Sequence, residues 1–561
     1  MTVLSRYDQA CFETTRRLLA EIINEGLATA RVAITDSTRQ LVITSNSEHL
    51  RKTPERWVKI GLLQGAYIGL KDGKVVSLVR PENLTPPPMV FDDCTERPVL
   101  DPEVIFSFMR PWFLDEADDS LLREIGKELK NSSNNQALVF GHPCHPYHRL
   151  CYAQAPLEPH GPEDIPGMLT PSLAFVSVPR TDMRISRSFE ATLDPLLTRL
   201  GVPRASGDRI IVPCLINQLP AVRLYFPSAV LVKTVCQCVD AQASMRTLTV
   251  RQELDFPYHL KVSLACYITS ALRTITPWTT INGPVFTELL ERFLPPDLWV
   301  FGEVASVTGS QSDFNKAKHL SCILRHDLEA KARMNNETLI LAAALSHPSP
   351  ETGHPYAETL FKLQTSREKE SWFRRYIACL FKLALPPLLN HGIGLELHGQ
   401  NLIVRVCLQT GEIKGFAVRD FGGIRLHTPT LRQYGVKFES LLMGSATITD
   451  SLHNVWSKVH HSMLQNHVGS LMAALGLECK GGWAVVREEL LAVLRPDDSA
   501  TGQSLYQFFL GDTMPFKCFL RMRMEGKYRD YVERELPNVA LMGLPRWEDV
   551  LTDYQPLLHR T

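Results

Sequence analysis

The spacing of apolar residues predicts helices near the start of the chain. Within the first thirty residues, apolar positions recur every three or four residues along one stripe, which is typical of an amphipathic helix that buries one face. The stripe consists of Leu18, Leu19, Ile22, Ile23 and Leu27. A second helix with a charged outer face is predicted over 115–131, and the NSSNNQ run that follows predicts its end.

Beyond this point the pattern changes to short apolar runs that favour strands. ALVF, RIIVPCL and HLKVSLACYI are rich in apolar and β-branched residues, and turn-forming residues separate such runs. Helical periodicity returns at 372–388 and 451–475. We therefore predict an α+β fold with three domains: a mainly helical 1–135, a mainly antiparallel sheet over 136–370, and a helical 371–561.

Length, charge and cysteine content narrow the classes of function. The 561 residues exceed one hydrophobic core, and 60 basic residues balance 60 acidic ones, so we expect no nucleic-acid partner. The 13 cysteines are scattered without a CxxC pair, which is typical of reduced thiols. No apolar run reaches the length of a membrane span, and the charged N-terminus does not resemble a secretory signal. We expect a cytoplasmic protein with no membrane partner.

Two motifs in the C-terminal half carry the chemistry of a nucleotide site. HGQN at 398–401 and RDFGG at 419–423 each follow an apolar run, where a strand would meet a loop. A β-hairpin between the two motifs would bring an amide, an imidazole and a carboxylate together. Glu396, His398 and Gln400 would share one face of an extended segment. Hard oxygen ligands beside a donor suit a magnesium nucleotide, so we expect ATP to be used.

Three histidines lie in the segment GHPCHPYHR at 141–149. Their uniform spacing of three, interrupted by prolines, excludes a shared helix face, and no partner cluster of Cys and His residues exists elsewhere, so zinc is the weaker interpretation. A loop that presents imidazoles to a phosphate or carboxylate is the stronger one. Surface histidines without a ligand are the third.

A further cationic group consists of SMRT at 244–247, Lys261 and Arg273. Thr269 and Arg273 are four residues apart on a predicted helix, so both could reach one ligand. Cations within apolar segments are costly to bury unpaired, and the arginine fork matches phosphate and carboxylate. From the residues alone, acidic side chains and an anionic ligand are equally good partners for this group.

In this order, the motifs resemble those of a known enzyme family. GHPxHP, SMRT, a lysine, ITSALRT, ExHGQN, RDFGG and KxxxRMR follow one another between 141 and 523. This order is similar to that of the siderophore synthetases that work without a nonribosomal peptide synthetase, of the aerobactin-synthetase type. The resemblance implies a cupped-hand fold with a thumb over 1–135, fingers over 136–370, and a palm over 371–561 with remote kinase-like features in its ATP site.

The resemblance also implies an activity. Enzymes of this type use ATP and Mg²⁺ to adenylate a carboxylate, often citrate or a citrate derivative. They release pyrophosphate and join the acyl group to an amine or hydroxyl. The partners would be small-molecule carboxylate and amine substrates, and a homodimer would fit the family. Siderophore biosynthesis and a related specialised pathway, for instance in a fungus, both remain open.

The resemblance assigns the family's site residues to the positions of this sequence that match each motif. The implied ATP-binding residues are His145, Ser244, Arg246, Thr247, Lys261 and Asn401. The implied carboxylate-binding residues are Thr269, Arg273, His398, Gln400 and Lys517. The implied metal ligands are Glu396, Asn401 and Asp420. Of these, His145, Lys261 and Arg273 would be the catalytic residues.

A small-molecule phosphotransferase of kinase-like fold is the alternative. HGQN and RDFGG resemble the HGDxxxxN and DFG motifs of kinase-like enzymes. A kinase needs a carboxylate base in the first motif, where Gln400 cannot accept a proton. No glycine-rich phosphate loop precedes it either, so the ligase is the better interpretation.

Overall fold

The computed structural model consists of two compact units. The first comprises Met1–Leu150 and Leu510–Thr561, and the second comprises Cys151–Phe509. The structure describes residues 4–35, 38–47, 56–92, 95–141, 152–153, 165–268, 271–349, 352–526 and 532–544. Among the helices in these ranges, none has the length and apolar character needed to cross a membrane.

Within the described residues, the N-terminal part of the first unit contains a seven-stranded antiparallel sheet and three helices. In sheet order, the strands are Leu70–Lys71, Lys74–Val75, Ala28–Thr35, Thr38–Ser45, Trp57–Leu62, Leu84–Asp92 and Thr95–Pro98. The helices are Arg6–Asn24, Pro102–Met109 and Asp119–Gly141. Leu41 and Ile43, two apart on one strand, share a core with Leu19 and Ile22 of the first predicted helix. The region is therefore less helical than predicted, because alternating apolar residues build a sheet.

The second predicted helix is longer than its sequence suggests. The helix Asp119–Gly141 continues through NSSNNQ and into the ALVF run that was expected to be a strand. The Ser133 hydroxyl donates to the carbonyl of Lys130 within this helix at 2.9 Å, so the polar run does not end it. A four-residue apolar run has no period of its own, and here it extends the helix before it. The expected boundary at 135/136 falls inside this helix.

The C-terminal segment joins the first unit, although the sequence predicted one region over 371–561. It contains the antiparallel strands Thr513–Lys517 and Glu533–Pro537 and the helix Phe519–Met524. The Glu25 carboxylate accepts the backbone N–H groups of Leu520 at 2.7 Å and Arg521 at 2.6 Å. These N–H groups at the start of a helix have no partner within it. A residue near the N-terminus satisfies them, and this contact is one of those that join the segment to the first unit.

The second unit is built on a six-stranded antiparallel sheet, as expected between 136 and 370. In sheet order, its strands are Met183–Ser186, Glu303–Gly309, Ser321–His326, Tyr258–Val262, Thr247–Val250 and Val239–Ala241. One face carries Leu248, Leu260 and Leu324, which are fully buried in the core. The other face carries mainly polar side chains at the alternate positions, with Ile323 as an apolar exception. This division places a rigid polar surface in the middle of the unit.

Four smaller sheets and a set of helices complete the described part of the second unit. The sheets are Arg209–Leu215, Leu173–Pro179 and Val230–Val235; Ala271–Leu272, Cys266–Ile268 and Tyr152–Ala153; Leu298–Val300, Ile413–Val418, Leu402–Cys407 and Glu337–Leu341; and Ile393–Gly394, Arg425–His427 and Ile448–Thr449. The helices are Ile165–Leu169, Phe189–Arg199, Leu219–Tyr225, Pro277–Phe293, Phe314–Ala317, Glu329–Met334, Ala342–Leu345, Tyr356–Phe361, Ser366–His391, Thr428–Gln433, Leu452–Val459, Gly469–Ala474, Trp483–Leu494 and Ala500–Phe509.

The predicted helices of the C-terminal half are present, with two differences. The helix Ser366–His391 begins at a capping box of Thr365 and Glu368 and ends at Gly392, whose φ is +64°. It includes the predicted 372–388 and crosses the expected boundary at 370/371. The helix predicted at 451–475 contains a π-helical stretch, His460–Val468. Such stretches are frequent at functional sites.

The prediction of a helix that carries Thr269 and Arg273 is wrong. The strands Cys266–Ile268 and Ala271–Leu272 form an antiparallel hairpin, with Tyr267 opposite Leu272. Aromatic and β-branched residues in this segment favour a strand over a helix. Thr269, like His145, lies outside the described residues.

Candidate active site

The polar face of the six-stranded sheet supports a cluster of cations. Strand pairing places Thr247 opposite Lys261 and His259 opposite Arg325. Residues directly opposite each other in antiparallel strands share one face of the sheet. Lys261 and Arg325 are only 1% and 2% exposed, so both need partners within the protein or on a ligand.

The SMRT segment forms a tight turn that enters this face. Met245 adopts a left-handed conformation with φ of +62°, and the Ser244 hydroxyl accepts the N–H of Thr247 at 3.2 Å. The Arg246 guanidinium donates to the carbonyl oxygens of Arg273 at 2.9 Å and Thr274 at 2.5 Å. The turn is therefore tied to the segment that carries Arg273, and the structure brings these predicted site residues together.

Lys261 lies between two carboxylates. Its ammonium is 3.0 Å from Oδ1 of Asp420 and 3.4 Å from Oε1 of Glu303. Glu303 is completely buried, whereas the Asp420 side chain keeps 32% of its surface exposed. The contact with Asp420 joins the sheet to RDFGG, so the two groups of predicted residues form one cluster.

Arg273 has unused capacity to bind an anion. Its Nε is buried and has no hydrogen-bond partner among the described residues. An unmade hydrogen bond from a buried cation is costly, and a bound phosphate or carboxylate would remove that cost. This observation favours the ligand interpretation that the sequence left open.

The HGQN and RDFGG motifs flank a β-hairpin, as predicted. The strands Leu402–Cys407 and Ile413–Val418 pair with Leu402 opposite Val418, and the N–H of Arg419 donates to the carbonyl of Asn401 at 3.1 Å. Asp420 then adopts φ of +67°, a conformation that is uncommon for a residue with a side chain.

Opposite charges hold Asp420 in its ionised form. Burial alone would raise the pKa of its carboxyl, but Lys261 and Arg246 outweigh this effect and hold the pKa well below its usual range. An ionised carboxylate is the form that binds a cation.

Glu396 lies beside RDFGG, and glycine makes this approach feasible. A Cβ atom at Gly423 would collide with Oε2 of Glu396. The ammonium of Lys458 pairs with Oε1 of Glu396. Burial would raise the pKa of Glu396, but Lys458 and His398 lower it below its usual value. Both Glu396 and Asp420 are therefore ionised and each has a lysine as its counter-ion.

The HGQN segment itself turns sharply. The Asn401 amide donates to Oε2 of Glu396 at 3.3 Å, and Nε2 of His398 is 4.0 Å from the same oxygen. Burial lowers the pKa of His398 below its usual value, which favours the neutral imidazole. Gln400 lies within a turn rather than on the extended segment predicted, because the N–H of Asn401 bonds back to the His398 carbonyl.

Gln242 connects the SMRT turn to these motifs. Its Oε1 accepts from Nη1 of Arg419 and from Nη2 of Arg325, each at 3.0 Å. Arg419 also donates through Nε to the carbonyl of Gln400 at 3.1 Å. Burial and the nearby Arg325 lower the pKa of Arg419 to about 10. One amide oxygen thus faces two guanidinium groups.

Lys517 belongs to the first unit and ends the strand Thr513–Lys517. Its ammonium lies 4.7 Å from the centroid of the Phe519 ring. The arginines of the RMR motif pair with acidic residues: Arg521 with Glu116 at 2.9 Å and Arg523 with Glu128 at 2.8 Å. These pairs give the motif a structural role, and the proposed contact of Lys517 with a substrate stays a prediction.

The sequence interpretation missed four residues of the cluster. They are Gln242, Glu303, Arg325 and Lys458. The signal for Glu303 and Arg325 was indirect: polar and apolar residues alternate in HLKV, which marks one polar face, and strands paired with that segment would add to the same face. Lys458 had no such signal, since only the folded chain places it at Glu396.

The cluster fits a hard cation. Glu396, Asn401 and Asp420 offer oxygen atoms, two of the groups are ionised, and Gly423 leaves the space that Glu396 needs. Within the described residues, no group of three or more His, Cys, Asp and Glu side chains has the arrangement of a metal site. A metal held here would therefore depend on the Asn401 amide or on a bound phosphate.

Comparison with protein families gives two matches. Residues 229–347 match the family described as IucA / IucC. Residues 370–532 match the family described as ferric iron reductase FhuF-like transporter. The first match contains SMRT, Lys261 and Arg273, and the second contains HGQN and RDFGG.

Individual proteins resemble the chain over different shares of its length, in one case over nearly all of it. The NRPS-independent siderophore synthetase-like protein ankE of Aspergillus thermomutatus is 44% identical over 99% of both chains. The D-ornithine–citrate ligase of Staphylococcus aureus is 24% identical over 53% of this chain and 50% of its own length.

Two solved structures share the mixed helix and sheet fold. The petrobactin biosynthesis protein AsbB of Bacillus anthracis has a TM-score of 0.75 and 17% identity, over 95% of this chain and 96% of its own. ATP-bound aerobactin synthetase IucA of Klebsiella pneumoniae has a TM-score of 0.70 and 14% identity, over 96% and 100%. Together with the 44% identity to the fungal relative, the motifs show that this chain belongs to the family of siderophore synthetases that work without a nonribosomal peptide synthetase.

Proposed function

We propose that this protein is an ATP-dependent, AMP-forming ligase. It adenylates citrate or a citrate-derived carboxylate and condenses it with an amine or hydroxyl, in siderophore or related natural-product biosynthesis. In this proposal the chain has the thumb, fingers and palm of its family. The observation that carries it is the contact of Lys261 with Asp420, which joins a cationic turn to a pair of ionised carboxylates.

The cationic turn suits the triphosphate. Ser244, Arg246 and Thr247 lie at the start of the strand Thr247–Val250, where Thr247 is opposite Lys261 near the end of the strand Tyr258–Val262. His145 would be a further ligand of the triphosphate. In the first step, a carboxylate oxygen attacks the α-phosphorus of ATP, the bond to the bridging oxygen breaks, and pyrophosphate leaves. This step brings two anions together, and negative charge grows on the departing pyrophosphate. Arg246 and Lys261 would stabilise both more strongly than they stabilise the separated reactants.

Glu396, Asn401 and Asp420 would hold Mg²⁺. When bound, the ion neutralises phosphate charge and helps to orient the triphosphate. Asn401 would also contact the nucleotide. Lys261 and Lys458 already contact the two carboxylates, so both ammonium groups lie where they can turn toward phosphate.

The carboxylate substrate would lie against Arg273. The Nε of Arg273 is an unused donor, and the Arg246 guanidinium donates to the backbone carbonyl of the same residue. The Arg273 guanidinium can therefore contact both phosphate and carboxylate. His398 and Gln400 would add neutral hydrogen-bonding groups on the far side, with Thr269 and Lys517 as further contacts. A neutral imidazole can donate to the carboxylate without adding charge.

In the second step, the amine nitrogen attacks the acyl carbon, AMP leaves with the bonding electron pair, and the nitrogen loses a proton. The requirements are an acyl adenylate shielded from water and a correctly oriented, unprotonated amine. The relatives support a citrate-derived acyl group, since one of them is named a D-ornithine–citrate ligase.

The products of ATP test this proposal. Purified protein is incubated with ATP, Mg²⁺, hydroxylamine and a panel of di- and tricarboxylates. Hydroxamate, AMP and pyrophosphate are expected, with citrate or a citrate derivative as the best acid. ADP with a phosphorylated product would instead establish a phosphotransferase activity, and the proposed ligase activity would be wrong.

A paired substitution links the reaction to the cluster. Arg273→Ala should lower the rate of hydroxamate formation at least about 100-fold, as expected for loss of a group that stabilises charge in the transition state. Arg180→Ala is the matched control, because Arg180 forms an exposed pair with Glu190 in the same unit. It should react at the rate of the wild type.

A further inference from the structure

Glu303 is a buried acid for which the proposed chemistry has no use. Its side chain is 0% exposed, and Oε1 lies 3.4 Å from the ammonium of Lys261. Its Oε2 is buried and has no hydrogen-bond partner among the residues that the structure describes. A buried carboxylate with an unsatisfied oxygen does not improve stability, so its presence calls for another explanation.

The helix Pro277–Phe293 is adapted to this carboxylate. A Cβ atom at Gly283 would collide with Oε2 of Glu303, and glycine is a poor residue for the interior of a helix. The Thr287 hydroxyl accepts the N–H of Glu303 at 2.7 Å and contacts its carbonyl oxygen at 3.0 Å. The helix therefore fixes the backbone of Glu303 and leaves the space that its side chain needs.

The surrounding charges explain what this fixed carboxylate can do. Lys261 is shared between Glu303 on the rigid sheet and Asp420 on a strained loop. Arg325 is opposite Glu303 in the strand register. If Asp420 turns to a metal ion, Glu303 becomes the remaining carboxylate at the Lys261 ammonium. Lys261 would then keep a hydrogen-bond acceptor on the sheet while it points toward phosphate.

We propose that Glu303 is a positioning residue that holds Lys261 for the triphosphate. The inference rests on the proposed function, because it assigns Lys261 to ATP. Glu303 acts through Lys261 and touches no substrate. A structural role alone is a poor explanation, because buried ion pairs seldom exceed well-packed apolar side chains in their contribution to stability.

Substitutions that keep the side-chain volume test this role. Glu303→Gln removes the charge and keeps a hydrogen-bond acceptor, and Glu303→Leu removes both. Because Lys261 keeps Asp420 as its partner, both variants should fold. The KM for ATP should rise about tenfold in Glu303→Leu and less in Glu303→Gln, while the KM for the carboxylate changes less than twofold. Titration of the variants with Mg-ATP should show the same loss of affinity without turnover.

Glu337 provides the matched control. It is a buried acid in the same unit and pairs with Arg405 at 2.8 and 2.9 Å. Glu337→Gln should lower the unfolding temperature and leave the KM for ATP unchanged. In a double-mutant cycle, Glu303→Leu should have no further effect on ATP affinity once Lys261→Met is present.

Three results would overturn the inference. They are a KM for ATP in Glu303→Leu within twofold of the wild type, additive effects of the Glu303 and Lys261 substitutions, and failure of both Glu303 variants to fold. The last would assign Glu303 to stability. A wild-type protein that forms no hydroxamate would refute the proposed function itself, whereas an active wild type with an unaffected Glu303→Leu variant would refute only the role of Glu303.

Discussion

The carboxylate of Glu396 packs against the backbone of Gly423, at a position where a Cβ atom would overlap Oε2. The second glycine of RDFGG is therefore required by an acid located before HGQN. Neither residue is in a left-handed conformation, so the reason for glycine is space rather than backbone freedom. The two motifs depend on each other through this contact.

Gly423→Ala should displace Glu396 and disable the cation site. We expect hydroxamate formation to fall about 100-fold, as for the loss of a group that organises transition-state charge. The neighbouring Gly422→Ala is the control, because its Cβ would come no closer than 3.1 Å, to the movable Thr279 hydroxyl. The rates of both variants across a Mg²⁺ titration provide the measurement. Equal rates in the two variants would contradict this account of Gly423.

Lys458→Met tests the counter-ion of Glu396. The Lys458 and Glu396 side chains are 9% and 20% exposed, so removal of the lysine leaves a largely buried carboxylate without its counter-ion. The ligand-free protein should lose about 3 kcal/mol of unfolding free energy. Because the ammonium no longer competes for Glu396, Mg²⁺ should raise the unfolding temperature more than in the wild type.

Lys414→Met is the control for this experiment. Lys414 pairs with Glu412 on the surface, with 41% and 63% of the two side chains exposed. Exposed pairs contribute little, so neither stability nor the response to Mg²⁺ should change. A Lys458→Met protein that responded to Mg²⁺ as the wild type does would show that Lys458 does not compete with the ion.

A half-buried acid, Glu21, and a buried one, Glu25, lie side by side in the first unit and should make stability depend on pH. Burial and the adjacent Glu25 raise the pKa of Glu21 to about 8, and burial raises the pKa of Glu25 to about 7. The folded protein then binds more protons than the unfolded chain between the ordinary pKa and these values, so stability falls as the pH rises. The unfolding temperature should decrease from about pH 5 to about pH 8 and level off above that.

Glu21→Gln mimics the protonated acid and should remove most of this decrease. Glu13→Gln, on the same helix, should retain it, because Glu13 pairs with Arg16 near the surface. The measurement is the unfolding temperature of the wild type and of both variants across this pH range. The same slope in the wild type and in Glu21→Gln would exclude the acid pair as its cause.

The parts of the site that sequence could predict are those with local signals. The hairpin between HGQN and RDFGG was predictable because its ends are neighbours in sequence and its strands are apolar runs. The prediction of a helix over 269–273 was wrong because short apolar segments fit a strand or a helix equally well. Glu303 and Lys458 meet their partners only through long-range packing. The segment after Leu510 is attached to the first unit by long-range contacts, among them two hydrogen bonds to Glu25, which no local pattern reveals.

Gln242 provides the last prediction, because stability and activity should change in opposite directions. Its Oε1 accepts from Arg325 and Arg419, two cations that share one neutral acceptor. Gln242→Glu would give them a carboxylate at the same place, and hydrogen bonds between charged groups are stronger than those to an amide. The unfolding temperature should therefore rise. The added negative charge lies two residues before Ser244, so the KM for ATP should rise as well, at least about tenfold, as trade-offs between stability and activity at functional sites suggest.

Gln218→Glu is the matched control for Gln242→Glu. Gln218 is also a glutamine of the second unit, but its side chain is completely buried and bonds only backbone groups, the N–H of Ala265 and the carbonyl of His319. A carboxylate there would repel the carbonyl oxygen and would have no cation to pair with, so the unfolding temperature should fall. A lower unfolding temperature in Gln242→Glu would mean that the two arginines already have sufficient counter-charge. An unchanged KM for ATP would mean that Gln242 does not lie near the nucleotide.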